Sequence, residues 1–206
     1  MVKDPEKLFQ SRREEIVTAS AKLYETKGFY EITIKDIAEF TSLTRPAIYN
    51  YFRTKEEIFL SLLEREYWRW RDDLQTLNSH DTMTRREFAE GLAHTLEDRT
   101  TLLRLLSMNL IDLEENSREE KILQFKRAYG ASLAEVRKCL EHFFPEMDER
   151  DIKSFVFSFF PFVYGIYPYT NLTDKQKAVI RKAGSEYADM TLYEFALNGI
   201  ERLLGV

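Results

Sequence analysis

Cysteine occurs once in these 206 residues, at Cys139, so no internal disulfide can form and the chain suits a reducing cytoplasm. Seven glycines and five prolines leave little material for turns, which favours long helices over a sheet. No run of about 18 apolar residues exists, so no membrane span is expected. The first residues, MVKDPEKLFQ, lack the apolar core of a secretion signal. Three histidines and one cysteine offer no zinc spacing, and the Glu-x-x-His pairs of a helical carboxylate site are missing. Neither a metal nor a cofactor is therefore expected. A phosphate-cradling glycine loop, a Gly-x-Ser-x-Gly elbow and an HExxH run are also absent, so an enzyme is not the expectation. Surplus positive charge is lacking too: the formal net charge is −5. That balance does not fit general coating of nucleic acid, but it is compatible with one focused contact surface.

What the chain does contain is helical periodicity. Residues 12–27 place Ile16, Ala19, Ser20, Leu23 and Tyr24 on one face, and Gly28 is expected to end that helix as a C′ glycine. Residues 33–57, TIKDIAEFTSLTRPAIYNYFRTKEE, then read as two short helices around a tight turn, followed by the start of a third. Thr33 and Asp36 form a near relative of the capping box. Thr41 and Ser42 mark the turn. Thr44 caps the second short helix, with Arg45 and Pro46 in its first turn, where proline is tolerated because the early amides lack intrahelical partners. Ile48 and Phe52 would pack on Ile37, Ala38 and Leu43. Thr54 and Glu57 complete a T-x-x-E box that starts the next helix.

With Ile48 and Phe52 turned inward, Arg45, Tyr49 and Asn50 point outward. Such a set is poorly chosen for solubility and well suited to DNA, because a helix–turn–helix lays its second helix in the major groove. Arg45 suits bidentate reading of guanine and Asn50 a base edge. Ala47 could meet a thymine methyl, while Tyr49, Tyr51 and Lys55 suit phosphates. Lys35 could reach base or backbone. Thr33, Thr44 and Pro46 sit at helix starts, where capping and phosphate attraction coexist. Residues 1–60 hold ten basic and ten acidic side chains, so phosphate neutralisation alone would give modest affinity.

The order helix, Gly28-Phe29, Thr33, Ile37-Ala38, Leu43, Ile48-Tyr49, Tyr51-Phe52, Lys55-Glu56-Glu57 resembles the TetR family of bacterial transcriptional regulators over roughly residues 10–62. This chain departs from the family where a glycine is usual, at Thr41-Ser42. A non-glycine at positive φ there would cost on the order of 1 kcal/mol, so a strained or differently shaped turn is expected. The resemblance implies an all-α protein of about nine helices. Residues 1–55 would be a three-helix DNA-binding domain and residues 56–206 a larger helical domain for dimerisation and ligand binding.

The remaining sequence fits that plan. A helix from Thr54 reaches about Leu77, and Thr84 with Glu87 opens another to about Leu96. Residues 100–114 are leucine-rich and expected to be buried. A long helix follows from Ser117 and closes at Pro145. Asp148 caps a helix containing FVFSFFPFVYGIY, apolar all round and expected to be buried on several sides, with a kink at Pro161. The last helix is read as starting near Ser185. Surplus apolar surface on the two terminal helices fits a dimer interface through Phe155, Phe162, Tyr193, Leu197, Ile200 and Leu204.

In TetR-like proteins the other helices of the second domain enclose a small-molecule pocket. Trp70, Met108, Phe159, Phe160 and Tyr164 each fit core packing, yet together they would suit an apolar or aromatic effector. His94 and Asn109, on apolar helices, could hydrogen-bond it. The resulting expectation is a cytoplasmic homodimer that binds double-stranded operator DNA as a repressor and is released by a small effector. Control of the second domain by a protein partner instead stays open at this point.

Overall fold

The computed structural model describes residues 4–187 and 189–206, and among them it is all-helical, with eleven α-helices and one 3-10 turn. By Cα proximity the chain divides into two compact units. The stretch up to Arg65 joins Asn109–Ala128 in one, and Glu66–Met108 joins Tyr129–Val206 in the other. Residues 56–65 and 109–128 are thus grouped with the N-terminal helices.

In the first unit, α1 (Pro5–Tyr24) starts on Asp4, whose carboxylate accepts from Glu6 N. Ile16, Ala19, Ser20, Leu23 and Tyr24 are buried along it. Gly28 does not close this helix. Its φ of −77° and ψ of 160° make it the extended residue that opens the 3-10 turn Phe29–Glu31. Next come α2 (Ile34–Glu39) and α3 (Arg45–Ile48). The Thr33–Asp36 box is reciprocal, with Asp36 Oδ2 accepting from Thr33 N at 2.8 Å and Thr33 Oγ1 from Asp36 N at 3.2 Å. Ile37, Ile48, Phe52, Ile58 and Phe59 are completely buried, each worth about 1.5–3 kcal/mol of transfer free energy. Edge-on contacts from Tyr24 and Phe29 to Phe59, with centroids 5.3 and 4.9 Å apart, fill the remaining core.

Helix α4 (Lys55–Leu77) begins with Thr54 Oγ1 accepting from Glu57 N at 3.2 Å. The Glu57 carboxylate, fully buried, does not return to Thr54 but accepts from Arg53 N at 2.8 Å. It also accepts from Arg118, through Nε at 2.6 Å and Nη2 at 2.8 Å. Arg118 lies between α7 (Leu110–Glu115) and α8 (Glu119–Phe143). Burial pushes the Glu57 carboxyl up, but these hydrogen bonds outweigh it and hold the pKa down at about 2.

In the second unit, the rest of α4 meets α5 (Arg85–Glu97), α6 (Thr100–Leu106), the rest of α8, α9 (Glu149–Thr170), α10 (Asp174–Lys182) and α11 (Leu192–Leu204). Thr84 and Glu87 form the expected box, and Asp148 caps α9 through the amides of Arg150 and Asp151. The leucine-rich stretch forms two helices, and the expected burial holds for the first only. Leu102, Leu103, Leu105 and Leu106 of α6 are buried, whereas α7 buries only Leu113 and exposes Ile111. The final helix starts at Leu192, seven residues later than expected. Gly184, at φ 68°, ends α10, and Thr191 with Glu194 boxes the start of α11. The division of residues 100–114 and the additional helix α10, in a stretch to which no helix was assigned, account for the helices beyond nine.

Helix α9 was expected to be covered on several sides. Instead Ile152, Phe155, Val156, Phe159, Phe160, Val163 and Ile166 turn inward, and Phe157 is left 66% exposed. It remains helical through Pro161 and Pro168. Helix α11 packs on α5 and α9. A Cβ at Gly199 would fall 2.3–2.8 Å from three atoms of the Phe162 ring, so only glycine admits this approach.

Two outcomes follow for stability. Gly199→Ala is expected to lower it by about 1–3 kcal/mol through overpacking. Gly130→Ala, in mid-helix with open space around the new Cβ, should raise it by about 0.5–1 kcal/mol. Denaturant midpoints at one protein concentration read both signs. The second outcome concerns acid. Because the folded pKa of Glu57 lies below its ordinary value of 4.5, its contribution is complete above 4.5 and is lost as pH falls through about 2. Glu57→Gln should therefore destabilise by about 3 kcal/mol at neutral pH. Acid titrations of both proteins should show that gap closing across this window.

Candidate nucleic-acid interface

Helix α3 spans only Arg45–Ile48, and its spiral is carried on by single turns, Asn50 N to Ala47 O at 3.2 Å and Tyr51 N to Ile48 O at 2.9 Å. Thr44 Oγ1 accepts from Ala47 N at 3.4 Å. Anchored by the buried Ile48 and Phe52, the segment presents Thr44, Arg45, Pro46, Tyr49 and Asn50 to solvent, with Ala47 and Tyr51 half-buried. The Arg45, Tyr49 and Asn50 side chains hydrogen-bond to no described residue. Thr33 and Lys35 are exposed at the start of α2, and the Lys35 ammonium lies 4.0 Å from Glu39. Tyr51 rests against Phe9 of α1, with ring centroids 4.9 Å apart.

The turn between α2 and α3 takes the differently shaped alternative. No non-glycine residue among those described has a positive φ. Glu15 of α1 accepts from Ser42 N, and the Arg12 guanidinium bridges the Ser42 hydroxyl and the Glu15 carboxylate. The amide of Ser42, ahead of its hydroxyl and Arg12, lowers the Glu15 pKa. Thr41 Oγ1 donates to Ala38 O at 3.1 Å. Helix α1 thus holds the turn through side chains, a role that Arg12 and Glu15 signalled only by their three-residue spacing.

Lys55 departs from its expected part as a phosphate contact. Its ammonium donates to Phe29 O at 2.7 Å and Ile32 O at 2.9 Å and sits 4.1 Å from the Phe29 ring centroid. Burial lowers its pKa. Two of its three donors are thereby spent on the 3-10 turn. The exposed cations around the recognition segment are Lys35, Arg45 and Arg53.

The residues expected to line an effector pocket are not brought together as a lining. Trp70, Phe159 and Phe160 are buried and pack on one another, the Trp70 ring 6.2 and 5.7 Å from the two phenyl rings. Trp70 Nε1 donates to Thr95 Oγ1 at 3.0 Å, and Tyr164 is half-buried. His94 is exposed, stacked on Tyr193 at 4.2 Å and 3.2 Å from Glu97. Met108 is half-buried beyond α6. Asn109 is exposed, caps α7 through Ile111 N at 3.2 Å, and belongs to the first unit.

The expected dimer residues are corrected in a similar way. Phe155, Ile200 and Leu204 are at most 2% exposed and belong to the protomer's own core, while Phe162, Tyr193 and Leu197 are half-buried. The outward stripe of α9 is Ser154, Phe157, Ser158, Pro161, Pro168 and Tyr169. No charge occurs from Ser154 to Thr173. Among the described residues no helix is long and apolar enough to cross a membrane. No described group of three or more His, Cys, Asp or Glu residues could hold a metal.

Comparison with known proteins agrees with this geometry. The family model of bacterial regulatory proteins of the tetR family matches residues 16–62, and that of the tetracyclin repressor-like C-terminal domain matches residues 64–198. The HTH-type transcriptional regulator HbdR of Aromatoleum sp. (strain CIB) is 32% identical over 97 residues, 47% of this chain and 37% of HbdR. The HTH-type transcriptional regulator TtgR of Pseudomonas putida is 28% identical over 138 residues, 67% of this chain and 61% of TtgR. Each match spans less than two thirds of the relative's length. A crystal structure of a TetR/AcrR-family regulator from Thermobifida fusca superposes with a TM-score of 0.64 at 16% identity. It covers 94% of this chain and 97% of that one, a likeness of fold. A helix–turn–helix with Arg45, Tyr49 and Asn50 facing out, inside two family models that meet between residues 62 and 64, makes this chain a member of the TetR family.

Proposed function

We propose that the chain is a homodimeric, sequence-specific regulator of transcription, a cytoplasmic repressor that a small apolar or aromatic effector releases from its operator. The carrying observation is the recognition segment, where Arg45, Tyr49 and Asn50 are exposed and uncommitted beside the capped start of α3. Guanidinium and amide side chains at the start of a recognition helix are the groups that read base edges. With little net charge around them, specificity rests on these contacts more than on phosphate attraction.

The dimer reading is supported by α9. Leaving Phe157 at 66% exposure on an uncharged stripe is costly for a lone protomer, and a second copy would cover it. Two recognition helices then have to meet successive major grooves about 34–36 Å apart. The effector reading is supported by a mostly apolar groove of about 590 Å³ between the end of α9, α10 and α11, lined by Pro168, Tyr169, Leu172, Ile180, Tyr187 and Phe195 with one carboxylate, Glu186. It replaces the Trp70–Phe159–Phe160 cluster as the place for a ligand. Effector and operator affinities would be linked reciprocally. The tight packing of that same aromatic cluster favours the second reading, in which a protein partner controls this unit.

Arg45→Ala is expected to weaken operator binding by about 1–3 kcal/mol and to relax the preference at one base pair per half-site. A loss equal for every sequence would make Arg45 a phosphate contact, and no loss would remove the reading. Phe157→Glu should yield a folded monomer in sedimentation that no longer holds the operator. A dimer that survives this change would place the interface elsewhere.

A further inference from the structure

The exit of the recognition segment, residues 52–57, is tied at three points to a corner that lies far away in sequence. Thr54 Oγ1 donates to Asn116 O at 2.9 Å. Arg118 meets the buried Glu57 carboxylate with Nε, Nη2 and its own backbone amide, the last at 3.2 Å. The Lys121 side chain, 4% exposed, places its ammonium 5.6 Å from the centroid of the Phe52 ring, and the Arg13 guanidinium lies 5.5 Å from the same centroid. Asn116, Arg118 and Lys121 lie outside the segment that matches the N-terminal family model, and inside the one that matches the C-terminal model.

The chemistry of this joint is specific. Glu57 accepts from Arg53 N, the second residue after Tyr51, and from the forked guanidinium of Arg118 at once. One carboxylate therefore fixes the end of the recognition segment against the start of α8. A two-pronged Arg–carboxylate pair sets direction as well as distance, which a point charge does not. Helices α4 and α8 both start at this joint and continue beyond the first unit, to Leu77 and Phe143. Arg118 itself is not on the presented face of α3.

We propose that Arg118, acting through Glu57, is a positioning residue for operator recognition: the Asn116–Lys121 corner sets the orientation in which Arg45, Tyr49 and Asn50 meet the groove. The proposal rests on the regulator reading above. It goes beyond the helix–turn–helix by assigning part of operator affinity to a residue that touches no DNA.

The test uses the full chain and the duplex that wild type selects from random sequences. Arg118→Met keeps the apolar stem and removes the fork. Folded dimers of this variant, checked by circular dichroism and sedimentation, should bind that duplex about tenfold more weakly. The salt dependence of log K and the ranking of single-base variants of the site should stay as in wild type, because no phosphate or base contact has been removed. Arg118→Lys should recover part of the loss, and it carries the same test if Arg118→Met does not fold. Unchanged affinity in a folded variant overturns the proposal. So does a salt slope reduced by about one, which would make Arg118 a phosphate contact. A wild-type protein that selects no site overturns the regulator reading itself, and the proposal with it.

Discussion

A carboxylate with no exposure to solvent has to be answered by donors, and Glu57 is answered by Arg118, sixty-one residues further along the chain. Left alone, that buried charge would undo the start of α4. Paired, it joins the end of the recognition segment and the first turn of α4 to the start of α8, which the sequence keeps far from both. Much of the first unit depends on this join. Ile48 and Phe52 sit at zero exposure on one side of the recognition segment. The opposite side faces solvent, while the segment is tied to the core below, to Arg12 and Glu15 at the turn before it, and to Glu57 after it.

The second unit is organised by a different constraint, the excess of apolar surface on α9. Seven of its side chains turn inward and supply the core together with Trp70, Tyr67 and Tyr129. The stripe left over is small and uncharged, with Ser154, Ser158 and Pro161 around Phe157. Small residues allow close approach and Phe157 gives an anchor, a combination suited to a second copy of the same helix. Gly199 shows the same economy on the inner side, where the Phe162 ring occupies the space a Cβ would need.

Much of the fold was legible because its local rules are strong. The boxes at Thr33 and Thr84, the cap at Asp148 and the inward face of α1 all stand where spacing placed them. The boxes Thr173–Gln176 and Thr191–Glu194 were as visible, but the apolar spacing from Tyr187 to Leu204 drew the start of the last helix back to Ser185, and α10, which buries none of its residues, lacked an inward stripe to mark it. The outward set on α3 was readable from the inward pair Ile48 and Phe52. Lys55 was not, since two backbone carbonyls that capture an ammonium leave no mark on composition. Periodicity also cannot say whether an apolar stripe is covered by its own chain, which is why Phe155, Ile200 and Leu204 were assigned outward. Arg118 carried no signal, because nothing local ties it to Glu57.

The central claim is that two copies of this chain present Arg45, Tyr49 and Asn50 to successive major grooves. Selection of binding sites from random duplexes by the 206-residue chain tests it most directly. The expected winner is a two-fold symmetric site with half-site centres about 10–10.5 base pairs apart, or a multiple of that spacing. Binding that shows no sequence preference and fades with moderate salt would contradict it, leaving only the phosphate attraction of a few surface cations.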